Sequence, residues 1–186
     1  DFGMTRPYTT AGRFEKIHDR LVVYTAISKT FNMAGLGSSC MMIPNPELKQ
    51  KISDSYDACW MFGPCDLAFT AMEAAYTHGD AWVDQQLAYL EGNVETVNTF
   101  VAEHMPGVQV TKHEGTFLMW LDMTCFGKSS RELTSILAKE YGLALGDGSH
   151  YGTQAEGFMR LNIGCTRDTL IKGLEQMAVM YDKYVK

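Results

Sequence analysis

Several features that mark secreted, metal-binding or membrane-spanning proteins are missing from this sequence. The five cysteines are odd in number and contain no C-x-x-C pair, which argues against a disulfide framework and a zinc site. The five histidines show no H-x-x-x-H pattern, so no metal is expected. The apolar stretches are short: even Leu21 to Ile27, which Thr25 interrupts, is far shorter than the ~20 residues that cross a bilayer. We therefore expect a protein of the reducing cytoplasm.

An excess of positive charge is missing as well. Lys and Arg number 16 against 22 Asp and Glu, so the net charge is −6. Such a chain has no general attraction for nucleic acid or for an anionic membrane, and we expect neither as a partner. The hydrophobic fraction of 46% and the charged fraction of 20% are typical of a globular protein. A chain of 186 residues suffices for one domain, or for one compact domain and part of another.

The first part of the chain predicts a sheet covered by helices. Leu21 to Ile27 is β-branched and apolar without alternation, which is typical of a strand buried on both faces in a parallel sheet. Asn45 followed by Pro46 predicts the N-cap and first residue of a helix. A second helix, predicted over Pro64 to Tyr76, is so apolar that we expect it to be largely buried.

One long helix is predicted over Asp80 to His104, where apolar residues recur at alternating spacings of four and three. Pro106 and Gly107 end it. At about 1.5 Å per residue the helix would be on the order of 36 Å long, enough to run between two domains. Gly92 in its interior costs roughly 1 kcal/mol, so it predicts a bend or a close contact.

After this helix the pattern changes to that of a compact α+β unit. The predicted elements are a hairpin of residues 108–112 and 116–121, a helix from the capping box Ser129-x-x-Glu132 to Gly142, a polar loop over 146–157, a strand over 158–163, and a terminal helix capped by Thr166. We place the domain boundary within the long helix, so that residues 1–95 form one domain and residues 96–186 the other.

Lys29 is the first candidate for chemistry, because it directly follows the predicted strand Leu21 to Ile27. Sites in open α/β sheets form just beyond the carboxyl ends of strands, and a partly desolvated lysine there has an amine available for Schiff-base formation. The hydroxyls of Ser28 and Thr25 are placed to hold an anion such as phosphate. Spacing alone favours the alternative, a solvated lysine at the end of a strand.

Arg160 is the second candidate. Strand alternation places Phe158, Arg160 and Asn162 on one face, and an arginine fork between an aromatic ring and an amide suits a carboxylate bound through two hydrogen bonds. The alternative is the wet face of an edge strand, and the pattern alone does not decide between them. The neighbouring loop, residues 146–152, lacks the G-K-[ST] ending of a phosphate-binding loop and is better interpreted as a flexible loop.

Residues 28–36, Ser-Lys-Thr-Phe-Asn-Met-Ala-Gly-Leu, resemble the lysine motif of the class I/II pyridoxal-phosphate enzymes. The resemblance is strongest to the cystathionine and cysteine-S-conjugate β-lyase (MalY/PatB) branch, and it covers essentially all 186 residues. Six further segments match this branch in the same order: residues 43–48, 73–76, 89–93, 114–117, 120–122 and 157–163.

The resemblance implies an α/β fold: the end of a large cofactor-binding domain, with a partial and mostly parallel sheet, joined by a long helix to a small C-terminal α+β domain. It implies that Lys29 holds pyridoxal 5′-phosphate and that Arg160 binds the substrate α-carboxylate, with Tyr151 and Asn32 as further substrate contacts. It also implies a homodimer. Gly37 stands where many class I aminotransferases have an arginine that grips the cofactor phosphate, which fits the lyase-like branch.

The function that this resemblance implies is a C–S β-lyase, which releases thiol, pyruvate and ammonia from cystathionine or a cysteine conjugate. One alternative is a class I/II amino-acid aminotransferase. The other is a non-catalytic binding or regulatory module, but the presence of both Lys29 and Arg160 argues against such a module. Asp1 resembles the last residue of a D-E-I-H-x-D segment whose first Asp pairs with the cofactor ring nitrogen. The resemblance therefore implies that this partner lies upstream, and that these 186 residues alone are inactive.

Overall fold

The computed structural model describes residues 8–61 and 63–186. These residues form two compact units, and the division between the units falls within one long helix. The described residues up to Gln85 form the first unit, and Gln86–Lys186 form the second. The boundary predicted at residue 95 lies in the same helix and stays a prediction.

The first unit packs short elements around a small apolar core. In chain order its elements are β1 (Val23–Thr25), α1 (Ile27–Thr30), β2 (Cys40–Met42), α2 (Pro46–Ala58), α3 (Asp66–His78) and the start of α4 (Asp80–His104). The core consists of Ile27, Met72 and Ala75, with Phe31 and Leu36 packed against it. Lys29 is thus two residues from the centre of this core.

The strand predicted from Leu21–Ile27 is present, but its predicted parallel pairing and burial are wrong. β1 pairs antiparallel with β2, and Tyr24 in its middle is 61% exposed. Parallel pairing needs a crossover that returns the chain across the sheet, whereas residues 26–39 contain only α1 and a single 3₁₀ turn. The chain therefore reverses, and every strand pair among the described residues is antiparallel.

Helix α2 begins as predicted, because Asn45 Oδ1 accepts hydrogen bonds from the backbone N–H groups of Glu47 and Leu48 at 2.9 and 3.4 Å. The expectation that α3 is largely buried is wrong. Only one of its faces packs on the core, whereas Leu67 and Phe69 are exposed. The apolar residues of this helix lie on more than one of its faces, and the sequence composition does not show which face packs against a neighbouring element.

Helix α4 has the predicted bounds and contributes to both units. Within the second unit its buried face carries Leu90, Asn93, Val97 and Val101, which recur at helical spacing. Gly92 marks a close contact, one of the two predicted alternatives. A Cβ atom at this position would lie 2.5 Å from Arg167 Nη2.

The second unit is a four-stranded antiparallel sheet with helices on one face. Its strands are β3 (Gln109–Val110), β4 (Leu118–Asp122), β5 (Gly146–Asp147) and β6 (Phe158–Asn162), in the order β3-β4-β6-β5, and its other helices are α5 (Ser130–Tyr141) and α6 (Arg167–Tyr184). The predicted hairpin, capping-box helix, strand and terminal helix are confirmed. The buried face of the sheet carries Met119, Leu121 and Met159, so the opposite face holds Trp120 and Arg160.

None of the described helices is both long and apolar enough to cross a membrane.

Candidate functional site

Lys29 lies in the single turn of α1, directly after β1. The turn is closed by hydrogen bonds from Phe31 N–H to the Ile27 carbonyl and from Met33 N–H to the Ser28 carbonyl, both 3.1 Å long. Ile27 is fully buried and anchors the turn, whereas Lys29 is exposed. The Lys29 amine makes no hydrogen bond or ion pair within the described part of the chain. The partial desolvation expected of it is therefore wrong for these residues, and its amine is accessible.

Two hydroxyl groups, of Thr25 and Ser28, precede Lys29 in the sequence. Thr25 ends β1, and its Oγ1 lies 3.2 Å from the hydroxyl of Tyr76 on α3. Ser28 is half-buried, and its hydroxyl has no hydrogen-bond partner among residues 8–61 and 63–186. Sequence reasoning missed Tyr76 as a partner of Thr25, because the two residues are far apart in the chain.

The Lys29 turn is held against the α3–α4 junction by an aromatic group. Phe31 stacks on Trp82 with ring centroids 5.9 Å apart and meets Tyr76 edge-on at 6.2 Å. A Cβ atom at Gly79 would overlap the Phe31 ring, so this position favours glycine. Asn32, the next residue, is exposed and has φ of 54°, a left-handed conformation that asparagine tolerates. The geometry thus fixes the residues that follow Lys29.

Arg160 lies in the middle of β6, which is an interior strand. Its register partners are Trp120 on β4 and Gly146 on β5, so the edge-strand alternative is wrong. A Cβ atom at Gly146 would lie 3.2 Å from Arg160 Nε, and the glycine thereby leaves space for the guanidinium. Within the described residues the guanidinium makes no hydrogen bond or ion pair, and its Cζ lies 5.0 Å from the Tyr151 ring centroid. Its N–H groups are therefore available to a ligand.

Three aromatic rings accompany Arg160 and together with it form what we call the Arg160 face: Trp120, Tyr151, Phe158 and Arg160. Trp120 meets Tyr151 edge-on at 5.5 Å and stacks on Phe158 at 5.8 Å. Sequence reasoning assigned no role to Trp120. The available signal was its alternation with the apolar residues Met119 and Leu121, which places it on the same face as Arg160 once strand register is known.

The loop that carries Tyr151 contains two short 3₁₀ turns, Gly148–Tyr151 and Thr153–Ala155, and its first two residues form β5; its flexibility stays a prediction. Asp147 Oδ1 accepts hydrogen bonds from the Ser149 N–H and hydroxyl groups at 2.9 and 2.7 Å. The Ser149 hydroxyl bond is the main cause that lowers the pKa of Asp147, and the nearby charges of His150 and Arg131 act in the same direction. The ionised carboxylate thus holds the turn that ends at Tyr151.

This geometry makes the turn sensitive to acid. The pKa of Asp147 is lower in the folded state than its usual value, so its contribution to stability is present above the unfolded pKa and is lost as the pH falls through the folded pKa. Asn keeps the Oδ1 acceptor but loses the charge that strengthens its hydrogen bonds, so we expect Asp147→Asn to lower the free energy of unfolding at pH 7 by a few tenths of a kcal/mol, roughly 0.5 kcal/mol at most. The loss should be smaller at pH 3. Urea unfolding at both pH values checks this, with Asp57→Asn on α2 as control; an equal loss at both would contradict it.

Among the described residues, no three His, Cys, Asp or Glu side chains are grouped so that they could hold a metal ion. The two candidate residues offer an amine on one unit and a guanidinium on the other, each without a hydrogen bond or ion pair in the described part of the chain.

Comparison with known proteins supports the sequence resemblance. The family model for aminotransferase class I and II matches residues 2–177. The chain is 38% identical to cystathionine β-lyase PatB of Bacillus subtilis over 86% of this chain and 41% of PatB. It is 32% identical to protein MalY of Escherichia coli over 81% of this chain and 39% of MalY. The chain thus spans about two fifths of the length of these relatives.

The fold is similar to that of cystalysin from Treponema denticola, whose crystal structure contains a pyridoxal 5′-phosphate cofactor. The TM-score is 0.90 at 25% identity, and the similarity covers 100% of this chain and 47% of cystalysin. The predicted fold class, α/β, is confirmed by this similarity, with the antiparallel pairing of β1 and β2 as the correction described above.

Proposed function

Because this chain belongs to the class I and II aminotransferase family, we propose that it supplies the reactive lysine and the carboxylate-binding arginine of a pyridoxal 5′-phosphate-dependent C–S β-lyase. The substrate is cystathionine or another cysteine S-conjugate, and the products are a thiol, pyruvate and ammonia. The observation that carries the proposal is that the Lys29 amine and the Arg160 guanidinium make no hydrogen bond or ion pair in the described part of the chain, while their backbones are firmly anchored.

The proposal extends to the setting of the enzyme. Residues 1–95 belong to the cofactor-binding domain and residues 96–186 to the small domain of a cytoplasmic homodimer. All five cysteines are unpaired, which suits a reducing compartment.

The residues around Lys29 fit an aldehyde cofactor that carries a phosphate. An exposed primary amine outside any described ion pair is able to condense with an aldehyde. Ser28 and Thr25 offer hydroxyl groups for a phosphate, and the Thr25 hydroxyl is already oriented by Tyr76. Ser38, on the segment that returns to β2, has a buried hydroxyl with no hydrogen-bond partner among the described residues, which is costly unless a partner lies outside them.

Lys29 moves the proton in this reaction. When bound, the cofactor supplies an electron sink that stabilises negative charge at the substrate Cα. Lys29 Nζ removes the Cα proton as general base. The Cβ–S bond then breaks, sulfur leaves with the bonding electron pair, and Lys29 Nζ returns the proton to it. The remaining three-carbon unit takes up water and yields pyruvate and ammonia.

Arg160 orients the substrate. Its planar guanidinium binds both oxygens of the α-carboxylate, and the Tyr151 ring over it limits the directions in which the fork can turn. Asn32 and Tyr151 are further substrate contacts in this proposal. Fixing the carboxylate directs the Cα–H bond toward the base, which lowers the entropic cost of the proton transfer.

An aminotransferase is the second candidate, since the matching family model includes such enzymes. We expect the holoenzyme, given L-cystathionine or an S-alkyl cysteine and no keto acid, to release pyruvate, ammonia and thiol over many turnovers. A coupled lactate dehydrogenase assay for pyruvate and a thiol reagent measure this. Turnover that depends strictly on an added keto acid, without pyruvate from the cysteine conjugate, would favour the aminotransferase.

A further inference from the structure

Asn93 is a polar residue that interrupts the buried apolar stripe of α4. Its side chain is fully buried, with an exposed fraction of 0%, and both polar atoms of its amide form hydrogen bonds. Nδ2 donates hydrogen bonds to the carbonyls of Ile163 at 2.8 Å and Cys165 at 3.1 Å, and Oδ1 accepts one from Arg167 Nε at 2.6 Å. An apolar side chain at this position would leave buried polar groups of the neighbouring segment unpaired. The amide therefore has a specific task in this fold.

Arg167, which donates the hydrogen bond to Asn93 Oδ1, is itself held by contacts with Tyr89. Its backbone N–H donates to the Tyr89 hydroxyl at 2.7 Å, and its Nη2 donates to the Tyr89 carbonyl at 3.3 Å. Its guanidinium lies 5.3 Å from the Tyr89 ring centroid. Gly92 leaves the space that this side chain occupies. We call Asn93, Arg167, Tyr89 and Gly92 the α4 clamp.

The α4 clamp grips the segment that joins the end of β6 to α6. Ile163 directly follows this strand and Cys165 lies two residues further along, while Arg160 lies three residues before Ile163. Ile163 is also tied to the sheet through its N–H group, which donates to the Phe117 carbonyl at 2.9 Å. The two backbone polar groups of Ile163 are thus both bonded: its N–H group to the residue that precedes β4, and its carbonyl to Asn93 of α4.

We propose that Asn93 is a positioning residue for Arg160: it fixes the end of β6 to α4 and thereby sets where the guanidinium meets the substrate carboxylate. This inference rests on the proposed carboxylate-binding function of Arg160. Asn93, Arg167 and Arg160 all lie in the second unit, so the clamp acts within that unit. A small displacement of a binding group far from the bond that breaks is sufficient to lower the rate strongly.

The test compares two ligands of the holoenzyme, S-methyl-L-cysteine and its analogue without the α-carboxylate, S-methylcysteamine. Binding is followed in a stopped-flow instrument by the change in cofactor absorbance that precedes turnover. We expect Asn93→Ala to weaken S-methyl-L-cysteine by roughly 10- to 100-fold and to leave the binding of S-methylcysteamine and the absorbance of the free holoenzyme unchanged. Amide hydrogen exchange over residues 161–165 should be faster than in the wild type. Asn98→Ala, an exposed residue of the same helix, is the matched control and should change neither.

Arg167→Lys keeps the charge and leaves the Asn93 amide bonds to the carbonyls in place. It should shift the same ligand in the same direction by about 3-fold, so the inference remains testable where Asn93→Ala does not fold. Equal weakening of both ligands by Asn93→Ala, or no change in Arg167→Lys, would overturn the positioning role. Arg160→Lys distinguishes a failure of the proposed function from a failure of the positioning role. If Arg160→Lys weakens both ligands equally, the proposed function of Arg160 is wrong. If it weakens only S-methyl-L-cysteine while the clamp variants weaken neither ligand or both equally, only the positioning role of Asn93 is wrong.

Discussion

Replacing Lys29 with alanine should lower kcat of the holoenzyme for L-cystathionine by roughly 10³-fold, within the range for loss of general acid–base catalysis. The variant loses both the amine that holds the cofactor and the group that moves the proton. Because Lys29 is exposed and has no partner in the described part of the chain, the stability of the cofactor-free variant should differ from that of the cofactor-free wild type by less than about 0.5 kcal/mol. Pyruvate release and thermal unfolding measure the two effects.

Lys49→Ala is the matched control for Lys29→Ala. Lys49 is likewise an exposed lysine of the first unit, on α2, and its replacement should alter neither kcat nor cofactor absorbance. If Lys29→Ala retained more than about a tenth of the wild-type kcat, Lys29 would not be the base.

Arg160→Lys should weaken amino-acid substrates by about 1.5–3 kcal/mol, the range for hydrogen bonds to a charged group, which is roughly a 10- to 150-fold rise in KM. Lysine keeps the positive charge, but it cannot bind both carboxylate oxygens in one plane and loses the stacking geometry on Tyr151. The cofactor absorbance should be unchanged, because Arg160 acts on the substrate. Steady-state kinetics with S-methyl-L-cysteine measure the effect.

Arg131→Lys, an exposed arginine on α5 of the same unit, is the control and should leave KM unchanged. A KM for S-methyl-L-cysteine within about 2-fold of the wild-type value in Arg160→Lys would contradict the carboxylate role.

Local sequence signals predicted the elements that carry the candidate residues. Asn45 with Pro46 and the capping box at Ser129 mark helix starts through bonds within four residues, so the sequence contains everything needed to recognise them. The stripe of α4 is periodic over many turns, and its bounds were predicted correctly. The positions of Lys29 after a strand and of Arg160 within one follow from the same local patterns.

Features that depend on long-range neighbours were not predictable. β1 pairs antiparallel with β2 because the residues between them reverse the direction of the chain. The apolar composition of the β1 segment does not indicate this reversal. The contact between Thr25 and Tyr76 joins residues distant in sequence, as does the bond of Asn93 to Ile163. Trp120 faces Arg160 only through the register of two strands. Each of these requires knowledge of which elements pack together.

Reduction of the holoenzyme with borohydride, followed by digestion with trypsin and mass spectrometry, tests the role of Lys29 most directly. Trypsin does not cleave after a modified lysine, so the cofactor adduct should appear on the uncleaved peptide Leu21–Lys49, with the mass of reduced phosphopyridoxyl at Lys29. Unreduced protein should yield the separate peptides Leu21–Lys29 and Thr30–Lys49. An adduct on any other lysine, with Lys29 cleaved normally, would contradict the assignment.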